Sequence, residues 1–346
     1  MLARSQPRWQ SHGRSLLLGA AGLAALVVAR RLLKPRLFDL RGKHVLIVGG
    51  TRGLGLLLAR EAARLGARVA ISGRDATTLE RARDDLLARG ATVLTVQGDV
   101  TDPEQARRMV RTVQEQWGRI DVLINNAGVI QAGPMEVMTV DDYRQALETH
   151  FWGPLHTILE VLPAMRRRGE GRIVNIASIG GKISVPHLLP YSASKFALVG
   201  LSEGLRAELA KDGVKVTTVC PGLMRTGSPR NADFKGKHRA EYAWFSISDA
   251  LPGASMSAER AARQIIAACR RGDAEIILSL PANMAAKVHG VAPGLVSRVL
   301  GWTNRLLPRA GGIGSRSAKG RDSQSAWSPS LLTVLNERAA RRNNEL

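Results

Sequence analysis

A short apolar strand pattern that breaks into glycines and then into a helix constrains this chain more than any other feature. His44-Val45-Leu46-Ile47-Val48 is brief and rich in β-branched residues, as a strand covered on both faces should be. Gly49-Gly50-Thr51-Arg52-Gly53-Leu54-Gly55 follows at once, and Leu56 to Leu65 then reads as a helix that Gly66 stops. Strand, glycine turn, helix is a phosphate-binding arrangement: free N–H groups and the positive helix end face an anion, and glycine lets it come close. The spacing is Gly-x-x-x-Gly-x-Gly, not the Gly-x-Gly-x-x-Gly of the common dinucleotide fingerprint. Taken alone, the turn reads equally well as a tight bend with no ligand.

The alternation continues. Further strand patterns lie at Arg68–Ser72, Val93–Val96, Val122–Asn125, Arg172–Ile176, Val214–Val219 and Glu275–Leu278. Helical patterns separate them at Ala76–Arg89, Glu104–Trp117, Asp141–Arg168, Tyr191–Lys211 and Ala258–Arg271. With 346 residues, 45% of them hydrophobic, there is material for a substantial core. The expected fold is α/β, a single doubly wound Rossmann-type parallel sheet with helices on both faces. In such a fold an acidic residue about twenty positions beyond the glycine turn binds the ribose 2′-hydroxyl of NAD, whereas an arginine accommodates the 2′-phosphate of NADP. The second strand ends in Gly73-Arg74-Asp75. Arg74 and Arg52 together offer two guanidiniums to one phosphate, which favours NADP(H) over NAD(H). Asp75 is the competing candidate for NAD, and its other role is the N-cap of the following helix.

Tyr191 and Lys195 stand four residues apart, so on a helix they share one face. Pro190 suits the first turn of that helix, and Ser178 closes a strand pattern thirteen residues before the tyrosine. An ammonium beside a phenol favours phenolate and is expected to lower the tyrosine pKa toward a range useful for acid–base chemistry. Among three tyrosines, only Tyr191 has lysine at the fourth position after it. The seven histidines show no metal-binding spacing, and Cys220 and Cys269 are isolated, which suits buried positions in a reducing compartment.

The ordered set of Gly49/Gly53/Gly55, Asn125-Asn126-Ala127-Gly128, Ser178 and Tyr191-x-x-x-Lys195 closely resembles the short-chain dehydrogenase/reductase family over about residues 42–280. Asp99-Val100 and Pro221-Gly222 also match. The resemblance implies that Gly49, Gly53 and Gly55 bind the cofactor pyrophosphate, with Thr51, Arg52 and Leu54 between them also cofactor-binding. Asp99 and Val100 would lie along the adenine. Asn126, Ala127 and Gly128 would steady the sheet and line the cofactor. Pro221 and Gly222 would flank the nicotinamide, with Thr226 just beyond. Tyr191 would be the acid/base, Ser178 would donate to the substrate oxygen, and Lys195 would hold the nicotinamide ribose. The activity implied is hydride transfer between nicotinamide and a carbonyl or secondary alcohol. A non-catalytic nucleotide-binding sensor or scaffold is the alternative on the same fold.

His150 departs from the family pattern, which places an asparagine there to hold a water that relays protons to the lysine. Imidazole titrates near neutrality and can carry protons itself, or the residue can simply hydrogen-bond locally. The expectation tested below is that His150 takes over the relay.

The net charge of +21 is concentrated at the ends: residues 1–41 and 281–346 each carry +7. Only 4% of residues are aromatic, so stacking platforms for bases are scarce, and an anionic membrane surface fits better than nucleic acid. Leu16 to Ala29 is an uncharged run between Arg14 and Arg30-Arg31. With Leu32 and Leu33 included, Ser15 to Leu33 would reach about 28 Å as a helix. An uncleaved anchor with a cytoplasm-facing enzyme is expected; a cleaved signal peptide, with Val27-x-Ala29 as its site, is the rival. Gly227–Ser255, irregular and bearing Trp244 and Phe245, is where the family keeps its substrate lid, and its aromatics suit a lipophilic substrate. Residues 281–312 carry an amphipathic pattern from Met284 to Leu306 that would lie on a membrane or pack on a partner subunit in a homo-oligomer. Residues 313–346 read as a disordered basic tail.

Overall fold

The structure is a computed structural model and describes residues 37–251, 253–330 and 333–346. The expected anchor, Leu16 to Ala29, lies outside the described residues. Among the described residues no helix is long and apolar enough to cross a membrane.

Seven strands form the central sheet: β1 (His44–Val48), β2 (Arg68–Gly73), β3 (Val93–Gln97), β4 (Val122–Asn125), β5 (Gly171–Ile176), β6 (Val214–Pro221) and β7 (Glu275–Leu278). Their order is β3-β2-β1-β4-β5-β6-β7 and every pairing is parallel. The chain winds outward from β1 to β3, then returns to β1's other side with β4. The carboxyl ends of β1 and β4 therefore open a crevice at the point where the order reverses, the usual ligand position in such sheets.

Parallel strands must be covered on both faces, and they are. Val45 and Ile47 point into one core with α1 (Gly53–Arg64), α2 (Ala76–Ala88) and Ala258–Arg271. Leu46 and Val48 point into the other, against α3 (Pro103–Trp117) and Gly153–Arg168. Asp75 is the N-cap of α2 and accepts the Thr78 N–H at 2.8 Å. A buried polar chain crosses the middle of the sheet. Asn125 donates to Asn175 at 2.9 Å and accepts from Thr157 at 2.8 Å, while Asn175 and Thr218 each donate to Ser202, at 3.1 and 2.8 Å. Cys220 and Cys269 are free and buried.

Three segments differ from the sequence reading. The expected helix Asp141–Arg168 is two, α4 (Val140–Leu147) and α5 (Gly153–Arg168), joined by a π-helical turn over Glu148–Trp152. Pro154 has no N–H to continue the ladder, and a wide turn before it absorbs the break. The long helix α6 (Leu189–Glu208) follows β5 and carries Tyr191 and Lys195. The irregular stretch Gly227–Ser255 contains α7 (His238–Ala250), whose buried side includes Tyr242, Phe245 and Ser246. After α8 (Ala258–Arg271) come α9 (Leu280–Val291) and α10 (Pro293–Asn304). The described residues of the tail expected to be disordered are folded: Ala318–Lys319 pairs with Asp233–Phe234, and α11 (Val334–Arg342) packs near α7 through Asn336, which donates to the Ser246 carbonyl at 3.1 Å. Side-chain amides, the Arg230–Glu337 and Lys319–Asp233 ion pairs and the buried Ala339 and Ala340 hold its described residues.

Candidate active site

The β1–α1 turn is drawn tight by glycine. A Cβ on Gly55 would run into the Gly49 carbonyl, so α1 starts directly under the strand end. The Asn126 amide donates to the same carbonyl at 2.7 Å and ties the end of β4 to the turn. Arg52 is the N-cap of α1, with no side-chain cap bond of its own, and Thr51 and Leu54 are buried beside it. A backbone cradle of this shape, at a helix end with no acidic residue in its first turn, fits a dinucleotide's pyrophosphate.

The other groups expected to surround the cofactor lie at or just beyond the carboxyl ends of β2, β3 and β6. Arg74 directly follows β2 and lies 3.4 Å from Asp99, so the guanidinium is paired but largely exposed. Asp99 also accepts from the Thr101 N–H and hydroxyl at 3.0 and 2.9 Å. Val100 is buried in the core on the α3–α5 side, so its side chain serves packing. Pro221 closes β6, and the Gly222 N–H bonds to the Leu278 carbonyl at 3.1 Å. Thr226 is buried, its hydroxyl donating to Ser228 at 2.8 Å.

Ser178, Tyr191 and Lys195 converge. Ser178 follows β5 and accepts the Gly180 N–H at 3.0 Å, which fixes its hydroxyl; the Tyr191 ring lies against the same glycine. Lys195 lies one turn on, its ammonium 5.7 Å from the Tyr191 ring centroid and donating to the Ile176 carbonyl at 2.8 Å. Burial dominates both groups. It pushes the Tyr191 phenol up to about 12, against a smaller lowering from the Ser178 hydroxyl, and the Lys195 ammonium down to about 7. The lowered phenol pKa expected from the spacing is therefore corrected. The ammonium lies over the ring and spends its bond on a carbonyl, and desolvation penalises phenolate and ammonium alike.

His150 sits in the π-helical turn, fully buried. Its Nδ1 is 2.7 Å from the Ser194 hydroxyl, and its Nε2 accepts the Val129 N–H at 3.1 Å. Since Ser194 donates onward to the Tyr191 carbonyl at 2.8 Å, the network assigns the proton to Nδ1. Burial first, and the Lys195 charge second, hold its pKa well below the usual histidine range. Both nitrogens are engaged by groups other than Lys195, and the ring stands edge-on to Tyr191 at 5.4 Å. In this arrangement His150 joins the loop after β4 to α6; the relay expected of it would require breaking one of these bonds.

Two features were passed over in the sequence. His187, at φ +63°, is 2.8 Å from Glu241, and Glu241 accepts the Trp244 indole N–H at 2.6 Å. This fully buried carboxylate fastens α7 to the segment that leads into α6. Asp249 is 6% exposed, and burial pushes its carboxyl up to about 8. Its spacing of four from Phe245 was the available signal that it shares the buried helix face.

Comparison with known proteins agrees with this fold. The short chain dehydrogenase family model matches residues 43–235. Dehydrogenase/reductase SDR family member 7B of Bos taurus is 33% identical over 292 residues, covering 82% of this chain and 88% of its own. Gluconate 5-dehydrogenase of Gluconobacter oxydans is 34% identical over 56% of this chain and 75% of its own. Among solved structures, a short-chain dehydrogenase from Streptomyces avermitilis superposes with TM-score 0.65 at 30% identity, covering 77% of this chain and 97% of its own. An actinorhodin polyketide ketoreductase solved with NADPH gives TM-score 0.62 at 31% identity, over 69% and 96%.

Proposed function

The chain belongs to the short-chain dehydrogenase/reductase family of oxidoreductases, and on that premise we propose that it moves hydride between NADP(H) and a carbonyl or secondary alcohol on a lipophilic molecule. The observation that carries this reading is the convergence of the Ser178 hydroxyl and the Tyr191 ring on Gly180, with Lys195 one helical turn beyond and its ammonium 5.7 Å from the ring centroid. The nicotinamide supplies or accepts the hydride when bound. Reduction builds negative charge on the substrate oxygen. Ser178 donates to that oxygen, and Tyr191 yields its proton to it. A phenol held near 12 keeps its proton at neutral pH, so it is loaded for this step. Lys195 positions the tyrosine and offers its ammonium to a ribose hydroxyl.

Replacing Tyr191 by Phe should lower turnover about 10³-fold and leave NADPH affinity within about twofold. A panel of lipophilic ketones and alcohols, followed through nucleotide absorbance, reads the first quantity; titration calorimetry reads the second. Retained turnover would overturn the assignment. Preference for NADP(H) rests on Arg52 and Arg74 at the crevice. Arg74→Glu should weaken NADPH about tenfold and leave NADH unchanged.

The lipophilic substrate is supported by Trp244 and Phe245, which pack in the same apolar cluster as Tyr191. A membrane surface is supported by α9 and α10. Met284, Val288, Val291, Leu295, Val299 and Trp302 are exposed there, Val291 by 89%. Residues 281–310 hold four Lys/Arg and no Asp/Glu. An apolar face rimmed only by positive charge suits anionic lipid. In this reading the catalytic domain faces the cytoplasm and forms a homo-oligomer; protease protection and light scattering measure these two properties.

A further inference from the structure

The segment that follows α11 lies in the glycine turn. The Gly53 N–H, first of the helix, donates to the Asn343 carbonyl at 2.8 Å. The Glu345 carboxylate is 3.6 Å from the Arg52 guanidinium, and a Cβ built on Gly53 would meet its Oε1. Asn231 holds the same carboxylate at 2.7 Å and the Glu345 carbonyl at 3.2 Å. Asn344, at φ +57°, donates to the carbonyls of Thr51 and Thr78 at 2.9 and 3.0 Å. Asn343 donates to the Thr226 carbonyl at 3.3 Å. Arg60 and Arg81 close on the carbonyls of Arg342 and Leu346, each at 3.0 Å.

Among these partners are Thr51, Arg52 and Gly53 of the turn and Thr226, groups assigned above to the cofactor. Glu345 is 7% exposed; burial pushes its carboxyl up to about 7, against the lowering from Arg52 and Asn231, at a helix end open to an anion. It makes the contacts a phosphate would make: a cationic side chain, an amide N–H and the open face of a glycine.

We propose that residues 343–346 are an intramolecular occupant of the pyrophosphate position, so that this segment and the dinucleotide exclude one another and the nucleotide must displace it to bind. The proposal rests on the dinucleotide reading of the glycine turn. When only a fraction of molecules has the site open, apparent affinity falls by that fraction. A segment docked in nine molecules of ten weakens nucleotide binding about tenfold.

The test uses the full chain. NADPH and NADH dissociation constants are measured for the parent protein and for Glu345→Ala, and hydrogen exchange over 334–346 is followed with and without saturating NADPH. Glu345→Ala should tighten both nucleotides by a similar factor, about tenfold, because the shared pyrophosphate is what the segment opposes. NADPH should speed exchange at the Asn343 and Glu345 amides, which are bonded to Ala339 and Ala340 carbonyls, while it slows exchange across 49–55. If NADPH binds, Glu345→Ala leaves both constants unchanged and 343–346 stays protected, the proposal falls while the dinucleotide reading stands. If neither protein binds either nucleotide, the dinucleotide reading falls and takes the proposal with it.

Discussion

Asp249 stands on the buried face of α7, four residues after Phe245, and no hydrogen-bond or ion-pair partner meets its carboxyl among the described residues. Burial lifts its pKa from the ordinary 3.8 to about 8. The folded chain therefore holds this proton more tightly than the unfolded chain does. Its stability falls as pH rises between those values and is level above about 8. Asp249→Asn removes the charge that must otherwise be buried. The variant should gain on the parent as pH rises from 5 to 9, by roughly 1–3 kcal/mol, as read from paired denaturant titrations. An advantage that stayed constant with pH would show that the carboxyl is not buried in its charged form. The same site explains a limit of the sequence reading. Tyr191, Lys195 and Ser178 were legible because spacing and order carried them. The direction of the tyrosine shift was not, because it depends on how much water the folded chain removes from both groups.

The β1–turn–α1 element was legible almost residue by residue, since strand, glycines and helix are each local signals. It is also brittle. Gly55→Ala places a methyl against the Gly49 carbonyl, and the turn must spread to admit it. The expected cost is roughly 1–3 kcal/mol of stability, with loss of nucleotide binding, measured by thermal unfolding and calorimetry on the same protein. Other elements were hidden for identifiable reasons. The turn at Glu148–Trp152 keeps nearly the periodicity of the helices it joins, so the pattern runs through it unbroken. In α7 the buried face includes Ser246, Asp249 and Glu241, polar residues that a hydrophobic template counts as solvent-facing. The described residues from Ala318 to Leu346 dock through Asn336, Asn344, Ser323, Lys319 and Glu337, a chemistry that composition reads as disorder.

At the scale of the molecule, charge and apolar exposure combine on one projection. The α9–α10 pair exposes Trp302 by 64% among basic side chains, in a chain of net charge +21. Binding to phosphatidylserine-containing vesicles should fall steeply with added salt, and Arg298→Glu with Arg305→Glu should weaken it about tenfold at low salt. Replacing Val291 and Trp302 by Asp should lower binding at every salt concentration, since that change removes apolar contact as well as introducing charge. Cosedimentation measures both. Binding insensitive to either pair of changes would assign the face to a second copy of the chain.

The polar chain through the sheet has a mechanical meaning. Asn125, Asn175 and Thr218 are direct cross-strand neighbours on β4, β5 and β6. Apolar alternation repeats every second residue, so by itself it would tolerate strands sliding past one another by two positions. Directional bonds do not repeat in that way: one alignment alone sets amide beside amide and hydroxyl. The strands that deliver Ser178 and Pro221 to the crevice are thus pinned lengthwise near their carboxyl ends, and the reacting groups inherit a fixed height above the sheet.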